Sequence, residues 1–142
     1  MTQTDRVWDT QDDYWKWHKA NYMTNGQLLE EFHTAFKSKR DIEFGSDPAL
    51  ETLATKLIME EFNEFMDEDG LDQAALLGEL ADLVYVAYGY ADRFGWNLDE
   101  ALRRKHIANM SKLDENGEPI LREDGKILKS ENFKPANLDD LV

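Results

Sequence analysis

The sequence predicts an all-α protein, a four-helix antiparallel bundle that ends in a C-terminal β-hairpin and an extended tail. Three observations support this fold class. Apolar residues recur every three or four positions along four segments, as in amphipathic helices. Cap residues and glycine stops leave only short connections between these segments, which favours antiparallel neighbours. Beyond residue 111 the period changes, and two apolar pairs flank an Asp-Gly turn signal.

An aromatic N-terminal arm, residues 1–23, precedes the helical domain at residues 24–142. Two of its rings, Trp15 and Trp17, cannot share one helix face. We expect a short irregular helix, or an arm that lies on the body of the protein and packs its rings onto the bundle. The alternative is that one ring stacks on a base or seals a subunit contact. The aromatic residues of the arm are Trp8, Tyr14, Trp15, Trp17 and Tyr22.

Cap signals set the bounds of the first two bundle helices. Thr24 with Gln27 forms a capping box that starts a helix to about residue 37. Asp47 before Pro48 caps a second helix, which runs to about residue 67 and stops at Gly70. Both helices carry an apolar stripe that predicts one buried face.

The remaining elements follow from the same kinds of signal. A third helix is predicted from about Asp72 to Arg93, and a fourth runs from its cap at Asn97 to about Ser111. Ile-Leu pairs at 120–121 and 127–128 flank Asp124-Gly125, which predicts a hairpin with a type I′ turn. The tail at 133–135 is expected to be extended.

The composition excludes several classes of protein. A chain of 142 residues with a net charge of -14 is one domain and lacks the basic footprint of a nucleic-acid-binding protein. The absence of cysteine excludes disulfides and thiolate sites. We see no apolar signal sequence and no long apolar span, so we expect a cytoplasmic protein, in a host cytoplasm if it is phage-encoded. Residues 101–142 nevertheless carry eight of the sixteen Lys and Arg residues.

Two acidic pairs interrupt the apolar stripes of the second and third helices. Glu61 and Glu64 precede the predicted turn at Gly70, and Glu79 and Asp82 follow it at similar distances. The helix spacing therefore predicts four carboxylates that face one another in one layer. Because buried unpaired charges are strongly unfavourable, these acids need cations or other partners between them. Taken singly, each pair fits a solvated helix face better than a binding site.

Oxygen ligands without cysteine or a nearby histidine favour Mg²⁺ or Mn²⁺. Because Mg²⁺ is commonly completed by substrate phosphates, the implied partner is a phosphorylated small molecule. The Asp-rich turns do not fit an EF-hand, and no glycine-rich phosphate loop is present. We expect His18, His33 and His106 to be surface or capping residues.

The acidic motif resembles that of a known family. Glu60-Glu61-x-x-Glu64 followed by Glu79-x-x-Asp82 is similar to the signature of the all-α nucleoside triphosphate pyrophosphohydrolases of the MazG-like superfamily. The likeness spans about residues 24–138 and is greatest to the compact subgroup of dUTPase-like and cyanophage MazG-like proteins. It includes the segments at 78–89, 106–112, 124–129 and 133–135.

The resemblance implies a hydrolase that converts a (deoxy)nucleoside triphosphate to the monophosphate and diphosphate, working as a dimer or tetramer. It implies that the four carboxylates bind two or more Mg²⁺ or Mn²⁺ ions, and that Glu60 and Glu61 serve catalysis, with Glu60 orienting or deprotonating the attacking water. It also implies that substrate binds to Asn109, Lys112, Lys126 and Lys129.

Other interpretations stay open at this point. Lys126 and Lys129 are equally compatible with ordinary hairpin solubility, and the base and sugar of the substrate are not specified. The chain could instead be a non-catalytic nucleotide or metal sensor on the same bundle. It could also be an acidic interaction protein that mimics DNA phosphates, although acids on an apolar stripe argue against that.

Overall fold

A computed structural model describes residues 10–142; Trp8 lies outside the described residues. Five helices are followed by one short hairpin and a 3₁₀ turn at Asp139–Leu141. The elements are α1 (Gln11–Asn21), α2 (Asn25–Ala35), α3 (Pro48–Asp67), α4 (Gln73–Arg93), α5 (Leu98–Met110), β1 (Ile120–Leu121) and β2 (Ile127–Leu128). The all-α prediction is confirmed.

The helix caps confirm the predicted starts. The Thr24 hydroxyl accepts from the Gln27 N–H at 3.2 Å, and the Gln27 side chain accepts from the Thr24 N–H at 2.9 Å. Asp47 accepts from the Leu50 N–H at 3.1 Å, ahead of Pro48 in the first turn of α3. Because a capped first turn satisfies donors that lack partners within the helix, these local sequences fix where each helix begins.

Helices α3 and α4 form the central antiparallel pair. Leu50, Ala54 and Phe94 make its buried core, which Tyr90 and Trp96 extend. Helix α2 packs on α4, and α5 contacts α2. The long α3–α4 pair thus sets the positions of Glu61 and Glu64 on α3 and of Glu79 and Asp82 on α4.

Helix α1 corrects the prediction of an irregular arm. It is a regular helix, capped by Thr10, and it buries none of its side chains. Its rings stack mainly on one another, as in the 5.1 Å contact of His18 with Tyr22. Lys19 joins it to α2 through a 2.7 Å ion pair with Glu31.

The predicted surface position of His33 is also corrected. His33 is 2% exposed and lies between α2 and α4. The aromatic rings of Phe62 and Tyr85 are 48% and 37% exposed, and the Tyr85 ring contacts that of Phe32 on α2 at 5.5 Å.

The hairpin is present, but its predicted turn type is wrong. Ile120 pairs with Leu128 and Leu121 with Ile127. A type I′ turn needs positive φ at both central residues. Only Gly125 has it, at 87°, and its N–H donates to the Arg122 carbonyl at 2.8 Å. The Arg122 N–H donates to the Lys126 carbonyl at 2.8 Å, which leaves a three-residue loop closed by a left-handed glycine.

Candidate metal centre

Three of the four predicted acids on α3 and α4 lie close together. Because the connection between the two helices is short, the last turns of α3 lie beside the first turns of α4. Glu61, Glu79 and Asp82 each place a carboxylate oxygen within 4.8 Å of the others. Glu61 and Glu79 are half-buried and Asp82 is exposed. Glu64 is exposed and lies close enough to act on the pKa of both half-buried members.

Two oxygens of this cluster are buried without a hydrogen-bond partner. They are Oε2 of Glu61 and Oε2 of Glu79. Burial, and then the charges of Glu64 and Asp82, raise the pKa of Glu61 and of Glu79 above the usual carboxyl range. A buried acceptor without a donor is rare in folded proteins, so these atoms indicate a site for a cation.

No basic side chain of the described residues is paired with the cluster. Residues 57–92 contain ten acidic residues and no Lys or Arg. Within residues 10–142, no basic side chain forms an ion pair with the four carboxylates, and the nearest ion pair joins Lys56 to Glu60 at 3.8 Å. An all-oxygen donor set of this kind suits Mg²⁺ or Mn²⁺. The residues present therefore fit the divalent cation that the sequence implies.

Glu60 lies outside the cluster of oxygens that could share an ion. Its side chain is exposed, and its nearest charged partner is Lys56, one turn earlier on α3. This position agrees with the helix geometry, because neighbouring residues point about 100° apart.

The four residues expected to bind substrate lie on other elements. Asn109 is exposed in the last turn of α5, and Lys112 is half-buried just beyond it. Lys126 and Lys129 are exposed on the hairpin, and the Lys129 ammonium sits 4.7 Å from the centre of the Phe133 ring. The extensive packing contacts of α3 and α4 are with each other and with α2, not with α5 or the hairpin. The expected acidic and basic residues therefore lie on different parts of the fold within one chain.

A groove between α2 and α4 was missed by the sequence reasoning. It has a volume of about 360 Å³ and is mostly apolar. Its α4 wall includes Leu77, Leu80 and Val84, on the side of α4 opposite the acids that face α3. The signal was present in the sequence as a second apolar stripe on α4, opposite the stripe that packs on α3.

Comparison with known families covers the helical part of the chain. The family model described as phosphoribosyl-ATP pyrophosphohydrolase matches residues 29–109. The match includes all four carboxylates and ends at Asn109, so the hairpin lies beyond it. No curated protein matches the chain significantly. Among residues 10–142, no helix is long and apolar enough to cross a membrane.

Proposed function

Because the chain belongs to the phosphoribosyl-ATP pyrophosphohydrolase family, we propose that it is a metal-dependent pyrophosphohydrolase of (deoxy)nucleoside triphosphates. Water attacks the α-phosphorus, the bond from that phosphorus to the bridging oxygen breaks, and the products are the nucleoside monophosphate and diphosphate. One observation carries the proposal. One buried oxygen of Glu61 and one of Glu79 have no hydrogen-bond partner, and they lie in a carboxylate cluster with which no described Lys or Arg forms an ion pair.

The acids of the cluster take distinct roles in this proposal. Glu61, Glu64, Glu79 and Asp82 hold two or more Mg²⁺ or Mn²⁺ ions. The bound cations neutralise phosphate charge and lower the pKa of a coordinated water. Glu60, at the edge of the cluster, orients or deprotonates the attacking water.

The phosphates and sugar need groups that the acidic helices lack. Asn109, Lys112, Lys126 and Lys129 contact them in this proposal, and the protein acts as a homodimer or homotetramer. Support for the assembly comes from apolar side chains left uncovered on α4. Leu77 is 65% exposed and Val84 is 47% exposed, although both lie on one stripe with the buried Tyr88.

The name of the matching family favours a second candidate substrate, phosphoribosyl-ATP. It carries the same triphosphate group, so the same cluster and attack at the α-phosphorus apply. Phosphoribosyl-ATP differs from ATP itself only in the phosphoribosyl group that it carries. A substrate panel therefore distinguishes them without any change to the proposed chemistry.

The deciding experiment measures diphosphate and monophosphate release from each common NTP and dNTP, and from phosphoribosyl-ATP, with Mg²⁺ or Mn²⁺. Release of diphosphate and monophosphate in equal amounts supports the proposal. Release of orthophosphate would contradict attack at the α-phosphorus. Nucleotide binding without any product would favour a sensor, and the absence of metal-dependent binding would favour an acidic interaction protein.

A further inference from the structure

Arg93, in the last turn of α4, is half-buried, and its guanidinium forms no hydrogen bond or ion pair with any residue of 10–142. The other arginines in that range each pair with a carboxylate: Arg40 with Asp92, Arg103 with Glu100, Arg104 with Asp140 and Arg122 with Asp124. Burial lowers the pKa of Arg93, and its neighbour Asp92 is already bound by Arg40 and His33. Because a partly desolvated cation without an acceptor is unfavourable, Arg93 needs an anion from outside the chain.

Arg93 lines a cavity of about 370 Å³, where the segment after α2 meets the first turns of α3. Its other polar walls are Ser38, Lys39 and Asp47, and its apolar walls are Ala49, Leu50 and Leu53. The Ser38 side chain is half-buried, and its hydroxyl has no hydrogen-bond partner within the described residues. Two donors without acceptors, a guanidinium and a hydroxyl, therefore face one cavity.

The end of α2 fixes the position of Ser38 and Lys39 in this wall. Lys37 has a φ of 55°, and its N–H donates to the Thr34 carbonyl at 3.3 Å. The Ser38 N–H donates to the His33 carbonyl at 2.9 Å. These two bonds form a Schellman motif, which ends the helix and turns the chain away from its axis. The polar residues after α2 are thus held by the backbone of the helix itself.

The cavity carries an excess of positive charge in a chain whose net charge is -14. Lys39 Nζ binds Asp47 Oδ2 at 2.6 Å, and the Leu50 N–H donates to the same carboxylate at 3.1 Å. These hydrogen bonds lower the pKa of Asp47, so its charge is compensated within the wall. Arg93 remains as the uncompensated charge. A planar guanidinium with a hydroxyl beside it suits a phosphate group, which accepts paired N–H bonds from arginine.

We propose that Arg93, with Ser38 and Lys39, binds a phosphate group at the end of the α3–α4 pair opposite to the carboxylate cluster. Arg93 lies eleven positions beyond Asp82 on α4, which is about 16 Å along the helix axis. The phosphates of one triphosphate group are too close together to reach from the cluster to Arg93. The site therefore takes a separate phosphate.

Two sources can supply a separate phosphate. One is free inorganic phosphate. The other is the phosphate of the phosphoribosyl group in phosphoribosyl-ATP, because the base and two sugars lie between it and the triphosphate. The second source rests on the proposed function, whereas binding of inorganic phosphate does not.

The first test is calorimetric titration of the full-length protein with inorganic phosphate in buffer that contains EDTA, so that no cation at the carboxylate cluster attracts the anion. The wild type should bind one phosphate per chain in a saturable manner. Arg93→Gln should weaken binding by at least ~10-fold, the loss expected when a charge-assisted hydrogen bond is removed. Arg93→Lys keeps the charge but not the paired donors, so its affinity should be intermediate.

Arg103→Gln is the matched control, because Arg103 lies on α5, outside the cavity, and its side chain is 67% exposed. It should bind phosphate as the wild type does. Without phosphate, Arg93→Gln should melt no lower than the wild type, since the guanidinium has no partner to lose. The absence of saturable binding by the wild type would overturn the proposal, as would equal binding by Arg93→Gln. A lower melting temperature of phosphate-free Arg93→Gln would assign Arg93 a structural role and would equally overturn it.

The second test identifies the source through the ratio of the KM for phosphoribosyl-ATP to the KM for ATP. If the substrate supplies the phosphate, Arg93→Gln should raise this ratio about 10-fold. If free phosphate is the ligand, the ratio stays at the wild-type value while the calorimetric difference remains. Failure of the proposed function has a different signature. In that case, no triphosphate releases diphosphate, and the calorimetric titration still decides whether Arg93 binds phosphate.

Discussion

Nδ1 of His33 lies 2.6 Å from Oδ2 of Asp92, in the contact between α2 and α4. Arg40 binds the same carboxylate through two hydrogen bonds, at 2.9 Å to Oδ2 and 2.8 Å to Oδ1. Burial acts to raise the pKa of Asp92, but the hydrogen bonds from Arg40 and His33 outweigh it and lower that pKa below its usual value. This cluster connects α2, the segment after it and the end of α4.

Removal of the central charge should destabilise the fold. We expect Asp92→Asn to lower the free energy of unfolding by about 3 kcal/mol, because it leaves the Arg40 charge partly buried without its partner. The folded-state pKa of Asp92 is depressed, so its contribution is complete above the unfolded pKa of about 3.9 and is lost as pH falls through the folded value. Denaturant unfolding of both proteins from pH 7 down to pH 3 measures the difference.

The control for this substitution is Asp140→Asn. Asp140 also makes a bidentate pair with an arginine, Arg104, but its side chain is 64% exposed. Because solvent screens exposed pairs, this change should leave the unfolding midpoint almost unchanged. Equal effects of the two substitutions would contradict the role assigned to burial at Asp92.

Loss of one cluster carboxylate should separate activity from stability. We expect Glu79→Gln to reduce diphosphate release by at least ~100-fold, since removal of even an outer-shell partner of a metal site commonly costs 10–100-fold. In a metal-free buffer the same variant should melt at a higher temperature than the wild type, because Glu64 and Asp82 no longer repel a charge at this position. Thermal scans with EDTA and product assays with Mg²⁺ measure the two effects.

Asp67→Asn removes an exposed acid at the end of α3, outside the cluster. The Asp67→Asn variant should retain wild-type activity. In metal-free buffer its melting temperature should change less than that of Glu79→Gln. A Glu79→Gln protein with full activity would contradict the assignment of the cluster as the metal site.

Local signals explain why the helices could be predicted from the sequence. The capping box of Thr24 and Gln27, and Asp47 followed by Pro48, act within one turn, so they do not depend on the rest of the fold. The type I′ turn was mispredicted because the strand pairing, with the Arg122 N–H bonded to the Lys126 carbonyl, leaves three loop residues instead of two. The Asp-Gly signal alone does not specify that pairing.

Contacts between distant segments could not be predicted in the same way. The proximity of Glu61 to Glu79 and Asp82 followed from one short turn and helix periodicity, and the structure brings these three together. His33 and Asp92 are 59 positions apart, and their contact depends on how α2 docks on α4. No periodicity in either helix specifies that docking, so His33 was expected at the surface.

Addition of the cation should stabilise the wild-type protein through the cluster. Ligand that binds only the folded state adds about 2.7 kcal/mol of stability at a free concentration 100 times its Kd. We therefore expect Mg²⁺ or Mn²⁺ to raise the melting temperature of the wild type, EDTA to reverse the increase, and Glu61→Gln to abolish it.

Ionic strength needs a matched control, because screening alone stabilises a chain with a net charge of -14. Sodium chloride at equal ionic strength should give a smaller increase, and that increase should be the same in Glu61→Gln. If Mg²⁺ or Mn²⁺ still raised the melting temperature of Glu61→Gln, the cation would bind to other acidic residues and not to the cluster.

Gly89 offers a stabilising substitution in the middle of α4. Its position is buried, and an added Cβ would lie 3.6 Å from both His33 Cε1 and Leu29 Cδ1, an ordinary van der Waals distance. Glycine inside a helix is roughly 0.5–1 kcal/mol less favourable than alanine, so Gly89→Ala should raise the free energy of unfolding by about that amount.

Gly26→Ala is the contrasting variant, because its Cβ would lie 2.7 Å from the Asp99 oxygen that accepts the Gly26 N–H. It should displace that carboxylate and lower stability, although Gly26 also lies in a helix. Denaturant unfolding of both variants checks the pair. Destabilisation by Gly89→Ala would show that α2 packs against α4 more tightly than these distances allow.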